Sequence, residues 1–507
     1  MSNRQPSADR RSHRAFSADL DTGSRENAHF KRSNASFWPW IGKRPGRLTP
    51  PERVFHRLAA TAGFALALLS GGMARAQDIN NGSIIRDAEI EQLMRDYTAP
   101  IFRAAKINAG ATKIILVGDR TFNAFVANGR KIFINLGAIM ESKTPNELIG
   151  VLAHESGHIA GGHLTRQRME LANAQIYAVA GMLMGAGAVV GTSRSRNVGS
   201  DGVGAMGAIL GPQEMVRRAM LSYQRGEEQA ADIAAVKYLN ATGQSPRGLL
   251  TTMERFQNDM LFKSQGIDPY LLSHPLPAER ISNLQDQAHK SPYFNVKDPP
   301  ALQARHDMVR AKIVAFIGST AEIGRRYPLS DTSLPARYAR AIIAYRAGRL
   351  SDALAQEDAL IATQPNNAYF HELKGQTLLE AGRAGQAIEP LKRAAALAPR
   401  GVPIRVMLGH AYVATNNPAN AGEAIKILSR AAQEEDDNPD TFQFLSMAYE
   451  RKGDQANAML AAAQGLFLMG KFVEARTQAD RAKRQFKEHS PGWLRADDIL
   501  NYRPPKT

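Results

Sequence analysis

At 507 residues the chain exceeds the roughly 100 to 200 residues of one domain, so it holds two or three folded units and is not a single small module. Its 44% hydrophobic and 22% charged content excludes a fibrous or wholly disordered protein. The absence of cysteine excludes disulfides, thiolate nucleophiles and Cys-ligated zinc, which leaves His, Asp and Glu for any metal site. Half of the +16 net charge lies in residues 1–76, which carry 13 Lys or Arg and 5 Asp or Glu. The rest is thinly spread, without an aromatic-interleaved basic stripe, and reads as a solvated surface with no nucleic-acid partner.

Residues 1–52 are polar, Arg-rich and poor in aliphatics, a composition that cannot bury a core and predicts disorder. A start codon assigned too early, with synthesis truly beginning near Val54, would account for such a preface. Residues 53–76 run from Arg53 and Arg57 through the apolar stretch 58–69 to Met73-Ala74-Arg75-Ala76. Charged, apolar and Ala-x-Ala segments in that order predict a secretory signal peptide cleaved after Ala76, and hence export to the periplasm. The apolar stretch is too short to span a bilayer comfortably, where about 20 residues are needed. No Cys follows it, which excludes a lipid anchor.

Residues 77–300 mix helices with short strands and predict an α+β domain, mostly helical with a small sheet. Residues 113–119 and 131–137 are β-branched runs separated by Asn128-Gly129, which reads as a hairpin or a paired edge. Residues 146–163 read as a helix capped by Thr144 or Asn146. Residues 174–191 are apolar and Gly-rich, followed by a polar loop and a second small-residue run, 203–211. This reads as a mobile hairpin near the cleft, with peripheral membrane contact as the alternative and a true span as the weakest reading.

Residues 301–330 read as a helical linker, and beyond them a period of 34 takes over. Gly348, Ala353 and Pro365 recur as Gly382, Ala387 and Pro399, and Gly375 recurs as Gly409. Ala424, Ala431 and Pro439 continue the series after a short insertion near residues 416–421, and Gly453, Ala458, Gly470 and Ala475 extend it. The period predicts an all-α tetratricopeptide solenoid over residues 331–490, with Pro ending each second helix and a tail at 491–507. A concave repeat face binds peptides or partner proteins.

The chemistry concentrates in His154-Glu155-Ser156-Gly157-His158. At about 3.6 residues per turn both imidazoles lie on one helix face and can reach one Zn²⁺, while Glu155 points towards its bound water. A catalytic zinc needs a third protein ligand. His163 falls five residues after His158, where a third His of the extended pattern would stand six away, and reads as a neighbouring structural His or one that supports a zinc-binding His from behind. Glu228 is the better candidate, and Asp232, four residues on, shares its face and can accept the outer N–H of a ligand His. Glu227 competes with Glu228, although its face does not include Asp232.

His-Glu-x-x-His followed by Glu-x-x-Ala-Asp resembles the gluzincin metallopeptidases of the HtpX and CAAX prenyl protease group. A signal peptide before it and tetratricopeptide repeats after it are similar to the soluble periplasmic branch, over residues 77 to about 490. The resemblance implies a zincin-type protease domain, zinc ligands His154, His158 and Glu228, and Glu155 as the catalytic acid/base. It also matches Asn123-Ala124-Phe125 to a segment preceding the strand that edges the cleft. His274-Pro-Leu-Pro-Ala-Glu-Arg280 resembles the group's downstream His-Pro segment, which assigns His274 to the zinc's open position or the developing oxyanion, and Arg280 to organising the cleft. An extended substrate is then expected to pair with the strand at 131–135. The resulting expectation is a periplasmic zinc endopeptidase that degrades unfolded or misassembled proteins in outer-membrane quality control, its repeats recruiting clients or assembly machinery. A chaperone or scaffold with a gated or dormant metal site is the alternative.

Overall fold

The computed structural model describes residues 83–170, 202–262 and 269–504. The expected N-terminal extension, the signal peptide and most of the 174–211 segment lie outside the described residues. Residues 202–211, read as part of a hairpin, form the first turns of a long helix. Among the described residues no helix is long and apolar enough to cross a membrane.

The chain divides into two compact units, with the boundary between Ile313 and Val314. The first opens with β1 (Ile84–Ile85) and α1 (Ala88–Ala105), whose first turn is capped by Asp87 accepting from the Ile90 N–H. In α1, Ile90, Leu93, Met94, Tyr97 and Ile101 recur at helical spacing and are all buried. Strands β2 (Lys113–Val117), β3 (Ala124–Ala127) and β4 (Lys131–Asn135) complete a four-stranded sheet of order β1-β2-β4-β3.

Asn128 and Gly129 do turn the chain, both at positive φ (51° and 70°), within the three-residue loop 128–130 between the paired residues Ala127 and Lys131. The hairpin they close joins β3 to β4, because β2 pairs with β4 in parallel and needs the intervening segment to return. This overturns one expectation. β4 is paired on both sides and has no free edge for a substrate, whereas β3, which carries Ala124 and Phe125, is an outer strand.

Helices α2 (Leu136–Glu141) and α3 (Pro145–Gly161) follow β4. Thr144 caps α3 by accepting from the Glu147 N–H, Pro145 occupies its first turn, and Gly162 ends it in the left-handed region. Helix α3 is buried from Pro145 to Gly157, and α4 (Gly202–Ala241) and α5 (Arg247–Phe262) pack on it. Short α6 (Pro269–Ser273) and α7 (Ala278–His289) then bring the chain back to the end of α4.

Helix α8 (Pro300–Ile317) begins at the domain limit expected at 300, and its residues up to Ile313 belong to this unit. Buried His306 on α8 donates from Nε2 to the Ser142 carbonyl at 2.9 Å, so its Nδ1 accepts from the Tyr97 hydroxyl at 3.0 Å. Lys312 is likewise buried against Asp87 at 2.7 Å.

The second unit runs through α9 (Thr320–Arg326) and the pairs α10 (Leu334–Arg346) with α11 (Leu350–Thr363), α12 (Ala368–Glu380) with α13 (Ala384–Leu397), α14 (Val402–Ala414) with α15 (Ala421–Glu434) and α16 (Pro439–Lys452) with α17 (Gln455–Leu468). Helices α18 (Phe472–Lys483) and α19 (Pro491–Asn501) close it. Gly375 and Gly409 sit directly against Leu391 and Leu428, where the paired helices touch. The insertion near 416–421 forms a 3-10 turn at Pro418–Asn420. Two expectations are corrected. Pro439 opens α16 and does not end a second helix, and residues 491–501 are no loose tail, because Ala496 and Ile499 join the terminal apolar cluster.

Burial pushes the His306 imidazole down to about 4, against the carbonyl of Ser142. A depressed pKa means that the stability tied to neutral His306 is complete above about pH 6.5 and drains away as pH falls towards 4, where the unfolded chain binds the extra proton. The expected outcome is that His306→Gln flattens the fall in unfolding temperature over that interval. Superimposable pH profiles for the two proteins would refute it.

Candidate metal centre

Helix α3 supplies three of the expected residues on adjoining positions. His154 and His158, one turn apart, point their Nε2 atoms at the same place, 3.0 Å from each other, and Glu155 is wholly buried beside them. Helix α4 crosses α3 closely enough to add Glu228. Its carboxylate oxygens stand 3.4 Å from His154 Nε2 and 3.4 Å from His158 Nε2.

This closeness depends on Gly157. A Cβ there would meet the Ala231 carbonyl oxygen at 2.9 Å and Ala231 Cα at 3.0 Å, so the two backbones touch at the point where the site forms. Sequence reading passed over both residues because nothing in a motif signals a helix crossing.

Asp232 lies one turn beyond Glu228. Its Oδ1 accepts from His154 Nδ1 at 2.8 Å, and buried Arg280 on α7 grips the same carboxylate through Nε at 2.5 Å and Nη2 at 2.9 Å. Arg280 also reaches Glu228 at 2.7 Å and donates to the Pro275 carbonyl at 3.1 Å, which ties the His-Pro segment to the site. His274, at the end of α6, enters from that segment. Its Nδ1 is 3.1 Å from both Glu228 oxygens and 3.5 Å from His154 Nε2, while its Nε2 faces Glu155 at 3.4 Å. Tyr270 lies against its ring at 4.6 Å.

Glu227, the rival ligand, turns to the other side, where it takes Arg166 at 3.0 Å and His163 at 3.1 Å. His163 in turn contacts His158, Nδ1 to Nδ1, at 2.9 Å. Asn123, Ala124 and Phe125 do not join the cluster. Asn123 precedes the outer strand β3, which Ala124 and Phe125 begin and which packs beside α3, and Phe125 stacks on Phe133 of β4 at 5.1 Å.

The donor set fits a small divalent cation. Ligand atoms of His154, His158, Glu228 and His274 all lie within 4.8 Å of one another. The separations of His154 from His158, of both from Glu228 and of His154 from His274, 3.0 to 3.5 Å, match tetrahedral edges around an ion with bonds of about 2.0 to 2.2 Å. Three buried carboxylates, Glu155, Glu228 and Asp232, face one guanidinium, Arg280, an imbalance that a cation relieves. Neither Glu155 oxygen has a hydrogen-bond partner, nor does His274 Nε2.

Charge and burial set the protonation pattern. Burial raises the Glu155 carboxyl above the ordinary range, against the pull of His274 and His154. For Glu228, burial pushes up but is outweighed by His274, His154 and Arg280, which hold the group well below the carboxylate range. Asp232 is lowered likewise, burial being overcome by Arg280. Burial lowers His154 too, yet the bonds to Asp232 and Glu228 prevail and push it up to about 9, while burial and its neighbour His154 drive His158 down.

Comparison with known proteins bears directly on this geometry. Residues 85–288 match peptidase family M48, and residues 378–440 match the tetratricopeptide repeat. The chain carries an M48 peptidase domain followed by tetratricopeptide repeats. It is homologous to the β-barrel assembly-enhancing protease of Escherichia coli (strain K12), with 25% identity over 385 residues, 73% of this chain and 74% of that protein. The protein of that name from Yersinia pestis is 26% identical over 71% of this chain and 72% of its own length. The metalloprotease LoiP of Escherichia coli (strain K12) is 26% identical over 42% of this chain and 76% of its own length. Family and relatives support a metalloprotease whose candidate metal-binding group is His154, His158, Glu228 and His274.

Adding one methyl group at Gly157 should separate α3 from α4. Gly157→Ala is expected to cost about 1 to 3 kcal/mol of stability and to weaken metal retention against a chelator. Wild-type behaviour in both denaturant unfolding and chelator competition would show that the crossing is not a constraint on the site.

Proposed function

We propose that this chain is an exported, zinc-dependent endopeptidase of the periplasm that hydrolyses unfolded or misassembled proteins, with repeats that recruit clients or outer-membrane assembly machinery. The observation that carries this reading is the convergence of His154, His158 and Glu228 from two helices around one point, with Glu155 buried alongside, inside an M48 segment. Export rests on the signal-peptide pattern ending at Ala76, and the client class on the name borne by the homologous proteins.

His154, His158 and Glu228 would hold the zinc. When bound, the ion polarises the scissile carbonyl and acidifies water. Glu155 takes the proton from the attacking water and returns it to the leaving amine. Burial raises the Glu155 carboxyl above the ordinary carboxylate range, which strengthens its hold on a proton. Asp232, held by Arg280, fixes the tautomer in which His154 keeps its proton on Nδ1 and offers Nε2 to the metal. The outer edge of β3 lends backbone groups to an extended substrate, so an unfolded chain can be gripped and a compact one cannot.

His274 modifies the expected role. With its Nδ1 among the other donor atoms, it fills the corner that a substrate carbonyl needs, and so acts as a gate that must swing aside. The alternative of a dormant site draws on this same closure. It is disfavoured by the intact Glu155, a buried acid that serves no structural hydrogen bond.

Glu155→Gln is expected to keep stoichiometric zinc and lose casein hydrolysis by about 10²-fold or more, whereas His274→Ala keeps zinc and raises basal hydrolysis. Casein cleavage that survives both chelator and Glu155→Gln would refute the enzyme reading. An unchanged rate in His274→Ala would refute the gate.

A further inference from the structure

The two imidazoles of the metal centre are supported on their outer nitrogens in different ways. His154 Nδ1 meets a carboxylate, Asp232, clamped by Arg280. His158 Nδ1 meets a third imidazole, His163, at 2.9 Å, and His163 Nε2 meets Glu227 at 3.1 Å. Glu227 is held in turn by Arg166, whose Nη2 lies 3.1 and 3.0 Å from its two oxygens.

We propose that His163 is a positioning residue for His158, and that His163, Glu227 and Arg166 form a relay that fixes the tautomer and ring plane of the second zinc-binding imidazole. The proposal rests on the zinc reading above and names residues that reading leaves without a role. If His158 binds metal through Nε2, its proton sits on Nδ1, where only an acceptor can face it. His163 can accept there only if its own proton is on Nε2, and that position is settled by the carboxylate of Glu227. The chain of bonds therefore has one consistent direction, from His158 through His163 to Glu227.

The backbone is shaped for this contact. Helix α3 stops at Gly161, and Gly162, at φ 68°, turns the chain back so that His163 returns over the last turn. A Cβ on Gly161 would lie 2.1 Å from His163 Nε2, so the ring occupies space that only glycine leaves open. His163 is nearly buried, at 6% exposure, and its ring stands edge-on to that of His158 at 4.9 Å.

The test is Zn²⁺ affinity of the full chain, measured by competition with a chromophoric chelator, together with the thermal midpoint of the metal-free protein. His163→Ala is expected to weaken Zn²⁺ binding by about 10- to 100-fold. Glu227→Ala should weaken it by a smaller factor, and the double variant should be no worse than His163→Ala, because the two act in series. His163→Gln, whose side-chain oxygen can accept from His158 Nδ1, should recover most of the loss, and the metal-free midpoints should stay together. The proposal is overturned if the variants bind Zn²⁺ within twofold of wild type, if the two losses add, or if the metal-free midpoint falls in step with affinity. Should His163→Ala fail to fold, Glu227→Ala at the edge of the cluster decides alone. A wild-type chain that takes up no Zn²⁺ would end the zinc reading itself, a result distinct from variants that match a zinc-binding wild type.

Discussion

Burying three carboxylates and three imidazoles within a few ångströms of one another is the constraint on which the rest of this unit depends. Isolated ionised groups in such a place would each cost several kcal/mol. Arg280 offsets part of that cost by bridging Asp232 and Glu228, and a divalent cation is the natural counterpart for the rest. The surrounding architecture can be read as the means of holding those charges together. Helix α3 is buried along most of its length, α4 touches its backbone at Gly157, and α6 and α7 fold back to deliver His274 and Arg280. His306 and Lys312 fasten α8 to the same unit.

Much of the site was legible in the sequence, because its signals are local. Positions four apart share a helix face, so His154 with His158, and Glu228 with Asp232, could be paired by spacing alone. The repeat period was legible for a similar reason, since Gly375 and Gly409 are small wherever a Leu of the next helix presses in. What escaped was non-local. The order of strands follows from pairing across the sheet, and β3, only four residues long, gave too little pattern to reveal that it, and not β4, forms the edge. Pro439 was misread because a proline just past a helix and one in the first turn of the next look alike in sequence. The approach of His274 depends on a turn 46 residues beyond Glu228, and the partnership of His163 with Glu227 on a chain reversal at Gly162.

In the proposed reading one centre combines a constant part and a movable part. His154, Asp232 and Arg280 form a buried, mutually saturated set on α3, α4 and α7, built to stay still. His274 follows a five-residue helix, and its Nε2 has no hydrogen bond, which leaves that nitrogen for the role proposed for it. The proposed protease function would use such an arrangement, with the metal held firmly and access to it conditional. In the same reading the edge strand would add selection of another kind, since only extended backbone can add to it.

The most direct test of the central claim is the zinc content of the purified chain with and without the Glu228 carboxylate. The account predicts about one Zn²⁺ per chain in the wild type and in Glu155→Gln, and a fraction of that in Glu228→Ala. Full zinc occupancy in Glu228→Ala would contradict it, because the third ligand would then have to come from elsewhere.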